Sequence, residues 1–310
     1  MRTRRMKNAS APRRNMILNH RSGDFIGDMK TGDVIPLWNG SFPRTDEPCA
    51  SSLTAFLPQR RGDASIPAVV LIPGGAYAFC SVDNEGDDFA KWLNLRGIAA
   101  FVLRYRLAPE WRHPAMLEDG SRAIRLVRAH AAEWGLDSAR IGAMGSSAGG
   151  HLLATILTLG TKGDPASADP VERESAIPDF AVFCYPVITM GRFTHLGSKE
   201  NLLGENASDP ELTDLLSCES HVPDDAPPCF LWHMANDESV PMENSLMFAA
   251  ALHRKGVPVS LHVYPHEGHG LGLGGSRIPP FGDALPWTRE LDLWLKESGL
   301  LASQTESRTP

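Results

Sequence analysis

The run Gly145-Ser146-Ser147-Ala148-Gly149 offers a serine with glycine two positions away on either side, after an apolar stretch and before a helix-forming one. A serine presented on a sharp strand-to-helix turn needs very small neighbours there, because the strained turn brings the two chain arms together. The requirement chooses between the adjacent serines. Ser147 is flanked by Gly145 and Gly149, whereas Ser146 would be flanked by Met144 and Ala148. A flexible Gly/Ser loop is the plainer reading of the same residues, and the strand before and helix after it weigh against that. A serine hydroxyl is a weak nucleophile near neutral pH and needs a histidine base held by a carboxylate. On a strand-turn-helix serine the chain order is Ser, acid, His. Asp237 follows the apolar run 229–234, and His269 stands between Gly268 and Gly270 after the last strand candidate. Glu238 is the rival acid; Asp237 comes sooner after the strand, and its shorter side chain holds a more defined position. Such a trio performs nucleophilic acyl transfer.

The oxyanion of that reaction needs preorganised backbone N–H donors. Ala148 opens the helix after the serine, so its N–H is one candidate. A second set follows an earlier strand, in Leu71-Ile72-Pro73-Gly74-Gly75-Ala76-Tyr77. There the N–H groups of Gly75 and Ala76 are the donor candidates, with Gly74 and Tyr77 expected to line the substrate, although a Pro-Gly-Gly turn alone would be ordinary. Tyr77, Trp232 and residues 186–228 are the candidates for shaping a pocket, with Trp232 inside an expected strand. His262 and His266 read as structural, and no carboxylate or cysteine set accompanies them at metal-ligand spacing, so no metal is expected. No cofactor is expected either, since G-x-G-x-x-G after a strand and G-x-x-x-x-G-K-[ST] are both missing.

Short apolar runs at 68–73, 98–104, 140–144, 180–185, 229–234 and 259–264 alternate with helix-period segments. They are nearly free of charge, as strands buried on both faces should be. The pattern predicts an α/β fold: a mostly parallel twisted sheet with helices on both faces and at most a small cap. The clearest helix carries Leu117, Ile124, Val127, Ala131 and Trp134 on one face and Arg122, Arg125 and Arg128 elsewhere; another opens at Pro286, with Trp287, Leu291, Trp294 and Leu295 on one side. Residues 161–178 read as a surface loop, and 186–228 are long enough for an insert over the sheet. The expected layout is a basic, disordered tail over 1–30, one domain over 31–300 and a flexible tail over 301–310.

Lys and Arg number 30 against 37 Asp and Glu, a net charge of −7 that argues against nucleic-acid binding. No apolar run approaches the roughly 18 residues of a membrane span. The five cysteines are scattered, with no C-x-x-C pair, and suggest neither a zinc site nor a disulfide framework. The basic N-terminus lacks the apolar stretch of a secretory signal, and a reduced, cytoplasmic setting is expected. Oligomeric state is not readable.

The motifs IPLW (35–38), LIPGGAY (71–77), RYRLAPE (104–110), GSSAGGHL (145–152), VPMENS (240–245) and HEGHGLGL (266–273), in this order, carry a likeness that covers the chain from about Ile35 to Trp294. In these the chain resembles α/β-hydrolases of the bacterial acetyl xylan esterase and feruloyl-esterase-like group. The resemblance implies carboxylic ester hydrolysis, often of acetyl groups on plant polysaccharides or their oligosaccharides, with Ser147, Asp237 and His269 as the triad. Hormone-sensitive-lipase-like relatives carry a histidine before their glycines; here that position is Pro73, and the third glycine is Ala76, whose N–H is retained. The substrate expected is a small ester, an acetylated carbohydrate foremost, with feruloyl and simple alkyl esters open. A prolyl-oligopeptidase-like peptidase, for whose usual extra domain the chain has no room, and a non-catalytic binding protein are the remaining alternatives.

Overall fold

A computed structural model describes residues 29–38, 41–42, 45–48, 51–59, 64–274 and 285–301. The expected tails, up to residue 28 and from residue 302, and Cys49 lie outside these. In chain order the elements are β1 (Val34–Pro36), β2 (Ser41–Phe42), β3 (Thr45–Pro48), β4 (Ser52–Phe56), β5 (Ile66–Ile72), α1 (Asp88–Asn94), β6 (Ala99–Arg104), α2 (Ala115–Ala129) and β7 (Leu136–Ser146). There follow α3 (Ala148–Leu159), β8 (Ala181–Cys184), α4 (Leu196–Leu203), α5 (Pro210–Leu215), β9 (Cys229–Asn236), α6 (Glu243–Arg254), β10 (Val259–Glu267) and α7 (Trp287–Glu297).

Eight strands form one sheet in the order β1-β4-β6-β5-β7-β8-β9-β10, and β2 pairs with β3 separately. From β6 to β10 every neighbour is parallel, while β1 and β4 add an antiparallel edge. This is the expected α/β architecture; the antiparallel edge was not expected, because β1 and β4 are too short and mixed in polarity to stand out. The strand expected at 259–264 runs on to Glu267 after a register shift between Tyr264 and Glu267. Pro265 lies within that shift, and a proline has no N–H for the ladder. His266, read from the sequence as structural, is thus in a strand.

The sheet separates two cores, and successive strand residues feed them alternately. In β5, Ala68, Val70 and Ile72 enter one core while Val69 and Leu71 enter the other; in β9, Leu231 faces one way and Phe230 and Trp232 the other. Helices α2, α3 and α6 contribute to the first core, α1 and α7 to the second. The arginines of α2 are not a solvated face. Arg122 pairs with Asp169 at 2.6 Å and Glu172 at 2.8 Å, Arg125 with Glu172 at 2.8 Å and Arg128 with Asp179 at 3.0 Å. They pin the 161–178 connection onto the helix. IPLW and RYRLAPE meet at Asp119, wholly buried, which accepts from Trp38 Nε1 (2.8 Å), the Ser51 hydroxyl (2.7 Å) and Arg106 N–H (2.8 Å). Among the described residues no helix is long and apolar enough to cross a membrane.

Candidate active site

Ser147 stands between β7 and α3 with φ 51° and ψ −122°, a backbone conformation that costs energy for any residue with a side chain. The two glycines make the turn possible. A methyl group on Gly149 would collide with the Ile72 carbonyl oxygen, and one on Gly145 would lie 2.5 Å from the Gly149 carbonyl oxygen. The turn is held from outside as well: Ser147 N–H donates to the Cys184 carbonyl at 3.0 Å, and Val187 N–H donates to the Ser147 carbonyl at 3.0 Å.

The structure brings Ser147, His269 and Asp237 into one line. The Ser147 hydroxyl lies 2.8 Å from His269 Nε2, and His269 Nδ1 lies 2.7 Å from Asp237 Oδ2. Because ionised Asp237 only accepts, Nδ1 carries the proton and Nε2 is free to accept from the serine. Asp237 Oδ1 accepts the N–H groups of Ser239 and Val240, both at 2.9 Å. Burial works to raise the Asp237 carboxyl, but hydrogen bonding from His233 and His269, the His269 charge and the Val240 N–H outweigh it and hold the group well below the usual carboxylate range. Glu238 is exposed, so the choice between the two acids falls to Asp237.

His233 was not singled out by the sequence. It is fully buried in β9, its Nε2 donating to the Val240 carbonyl at 3.0 Å and lying 3.5 Å from Asp237 Oδ2, while Ser245 donates to its Nδ1 at 2.8 Å. VPMENS thereby braces the acid loop. His262 stacks on Phe230 with ring centroids 4.8 Å apart and is bonded to the Ser260 hydroxyl.

The glycine loop after β5 lies directly against the serine: a methyl on Gly74 would stand 2.8 Å from Ser147 Cβ. Gly75, Ala76 and Tyr77 all have positive φ, at 125°, 53° and 62°. Among the described residues the N–H groups of Gly75, Ala76 and Ala148 take no hydrogen bond; that of Gly74 donates to Glu85 Oε2 at 2.8 Å.

The expectation for Tyr77 is corrected, and Trp232 takes the core position that its place in a strand suggested. Tyr77 is only 1% exposed and its hydroxyl meets His151 Nδ1 at 2.7 Å, so its ring is core and not a wall for substrate. Trp232 is wholly buried and stacks on Trp287 at 4.9 Å, as a residue inside a central strand must. Segment 186–228 carries α4 and α5 and is tied to the site: Asn201 Nδ2 donates to the Ala76 carbonyl at 2.8 Å, and His151 Nε2 donates to the Leu216 carbonyl at 2.8 Å. His195, half-buried at the start of α4, is held below its ordinary value first by burial and then by the His269 charge, with Asp237 pulling the other way. An open depression of about 580 Å³ at α5 and α6 is lined by Thr189, Phe193, Ser217 and Met247 among others, and by none of Ser147, Asp237 and His269.

Residues 53–252 match the BD-FAE family model. The chain is 42% identical to an acetyl ester-xyloside bifunctional hydrolase from Caldicellulosiruptor lactoaceticus, superposing with a TM-score of 0.81 over 87% of this chain and 97% of that one. It is 40% identical over 235 residues to endo-1,4-beta-xylanase B of Butyrivibrio fibrisolvens, covering 73% of this chain and 35% of the relative. It is 35% identical over 228 residues to an acetylxylan esterase of Xylanibacter ruminicola, covering 72% of this chain and 44% of the relative. The chain thus spans less than half the length of these two curated relatives.

Proposed function

The chain belongs to the BD-FAE family, on the α/β-hydrolase fold, and from that premise we propose that it is a serine esterase that removes acetyl groups from acetylated sugars or xylo-oligosaccharides. The observation that carries this reading is the unbroken line from the Ser147 hydroxyl through His269 to Asp237, at 2.8 and 2.7 Å. His269 Nε2 takes the serine proton as Oγ attacks the ester carbonyl. The N–H groups of Ala148, Gly75 and Ala76 receive the oxyanion, each typically worth about 3–4 kcal/mol of barrier. His269 returns the proton to the leaving alcohol, and water then cleaves the acyl-enzyme by the same steps. Asp237 keeps Nδ1 protonated and stabilises the imidazolium. Similarity to an acetylxylan esterase and to an acetyl ester-xyloside hydrolase supports the carbohydrate acetyl ester as the substrate class.

The test is acetate release from acetylated xylo-oligosaccharides, with p-nitrophenyl acetate and Ser147→Ala as controls. Release from both substrates, abolished in the variant, is the expected result. Hydrolysis of p-nitrophenyl acetate alone would keep the triad and move the substrate to small non-sugar esters; full activity in Ser147→Ala would overturn the assignment.

A further inference from the structure

The run Val82-Asp83-Asn84-Glu85-Gly86-Asp87-Asp88 looks like a solvated loop, yet it forms a π-helical turn over Asp83–Asp87 that turns Glu85 inward. Glu85 is 3% exposed. Each carboxylate oxygen accepts one hydrogen bond: Oε2 from Gly74 N–H at 2.8 Å, Oε1 from the Tyr185 hydroxyl at 2.8 Å. The Tyr185 oxygen accepts Gly272 N–H at 3.1 Å, and its ring meets the His269 imidazole edge-on with centroids 4.9 Å apart. Next to Glu85, Asn84 Nδ2 donates to the Gly270 carbonyl at 2.8 Å. One turn thus grips the glycine loop on one side of Ser147 and the histidine loop on the other.

We propose that Glu85 is a positioning residue for the reaction, fixing the oxyanion loop through Gly74 and the imidazole through Tyr185, its buried charge joining that of Asp237 in stabilising the His269 imidazolium. The proposal rests on the esterase reading above. A buried carboxylate is costly unless paired, and among the described residues no lysine or arginine forms an ion pair with Glu85. Burial raises its carboxyl above the ordinary range on balance, with the Tyr185 hydroxyl, the Gly74 N–H and the His269 charge offsetting part of that rise. A methyl on Gly270, the residue after the histidine, would stand 4.0 Å from Glu85 Oε1. Among the described residues, the charge that acts on this carboxylate is that of His269, the cation the proposed reaction creates. The groups around His269 are Asp237 from the loop after β9, Glu85, Tyr185 from the end of β8, His195 from the start of α4, and Ser147.

Glu85→Gln keeps the size and removes the charge, together with one of the two accepting oxygens; Glu85→Ala removes the whole group. Initial rates on p-nitrophenyl acetate across pH separate these contributions. We expect kcat to fall roughly tenfold in Glu85→Gln and 100-fold or more in Glu85→Ala, with KM little changed. With a negative charge gone the imidazolium is less stable, so the acid limb of kcat/KM in Glu85→Gln moves to lower pH, by about half a unit. Tyr185→Phe cuts the tie to the histidine loop and keeps the charge; kcat should drop several-fold with the acid limb in place. An unmoved acid limb in Glu85→Gln, or wild-type kcat in Tyr185→Phe, would overturn the proposal. Wild-type protein unreactive towards both the ester and a fluorophosphonate would instead overturn the esterase reading itself.

Discussion

The Tyr77 hydroxyl donates to His151 Nδ1 across 2.7 Å, while Nε2 of the same imidazole donates to the Leu216 carbonyl at 2.8 Å. A carbonyl only accepts, so the tautomer is fixed with its proton on Nε2. Three segments meet in this contact: the glycine loop, the helix behind Ser147 and the segment 186–228. Tyr77→Phe leaves Nδ1 as a buried acceptor without its donor, at a cost of about 1–3 kcal/mol. Thermal unfolding should show a lowered Tm in this variant, accompanied by reduced kcat because the loop carrying Gly75 and Ala76 loses its anchor. An unchanged Tm would mean that the contact is dispensable.

His151 also predicts a pH dependence of stability. Burial pushes its imidazole down from 6.5 to about 4. Above pH 6.5 both folded and unfolded chains hold it neutral. As pH falls from 6.5 towards 4 the unfolded chain takes up a proton that the folded one refuses, and stability declines by about 3 kcal/mol in all from this residue. Denaturant titrations at pH 7 and pH 4.5 should show a smaller loss in His151→Asn than in wild type. Equal losses would remove His151 from the acid response.

The two neighbouring acids should behave oppositely. Asp237→Asn loses the acceptor that holds Nδ1–H and should cost roughly 10³–10⁴-fold in kcat, whereas Glu238→Gln, on an exposed side chain, should stay within about twofold. Steady-state kinetics on p-nitrophenyl acetate decides it; a reversal of the two effects would reassign the acid.

Asn201→Ala removes the donor on the Ala76 carbonyl. Stability should change by about 0.5–1.5 kcal/mol, the net worth of one hydrogen bond. The larger effect is expected in kcat, roughly tenfold, a fraction of the 10²–10³ that loss of an oxyanion donor costs. Undiminished kcat would show that the loop holds its shape without α4.

The candidate triad was readable in the chain because its demands are local. Gly145 and Gly149 mark Ser147 through steric need alone, and Asp237 and His269 follow strands at the ends where such loops lie. What the sequence hid is what depends on depth or distance. Tyr77 follows two glycines as a pocket wall would, and only its burial against His151 shows otherwise. Asp119 gathers Trp38 and Ser51 from 81 and 68 residues away, so no window of sequence contains the set. Glu85 sits in a polar run and reads as solvated until the turn that points it inward is seen.

Segment 186–228 differs from a detachable attachment in a way that matters for exchange between relatives. Its Leu216 carbonyl and Asn201 amide complete hydrogen bonds that the glycine loop and α3 cannot complete alone. A chimaera that transplants a different segment here must bring an acceptor for His151 and a donor for Ala76 at the same two places. Without them, altered selectivity would arrive together with a loosened catalytic frame, and the two would be hard to separate by activity alone.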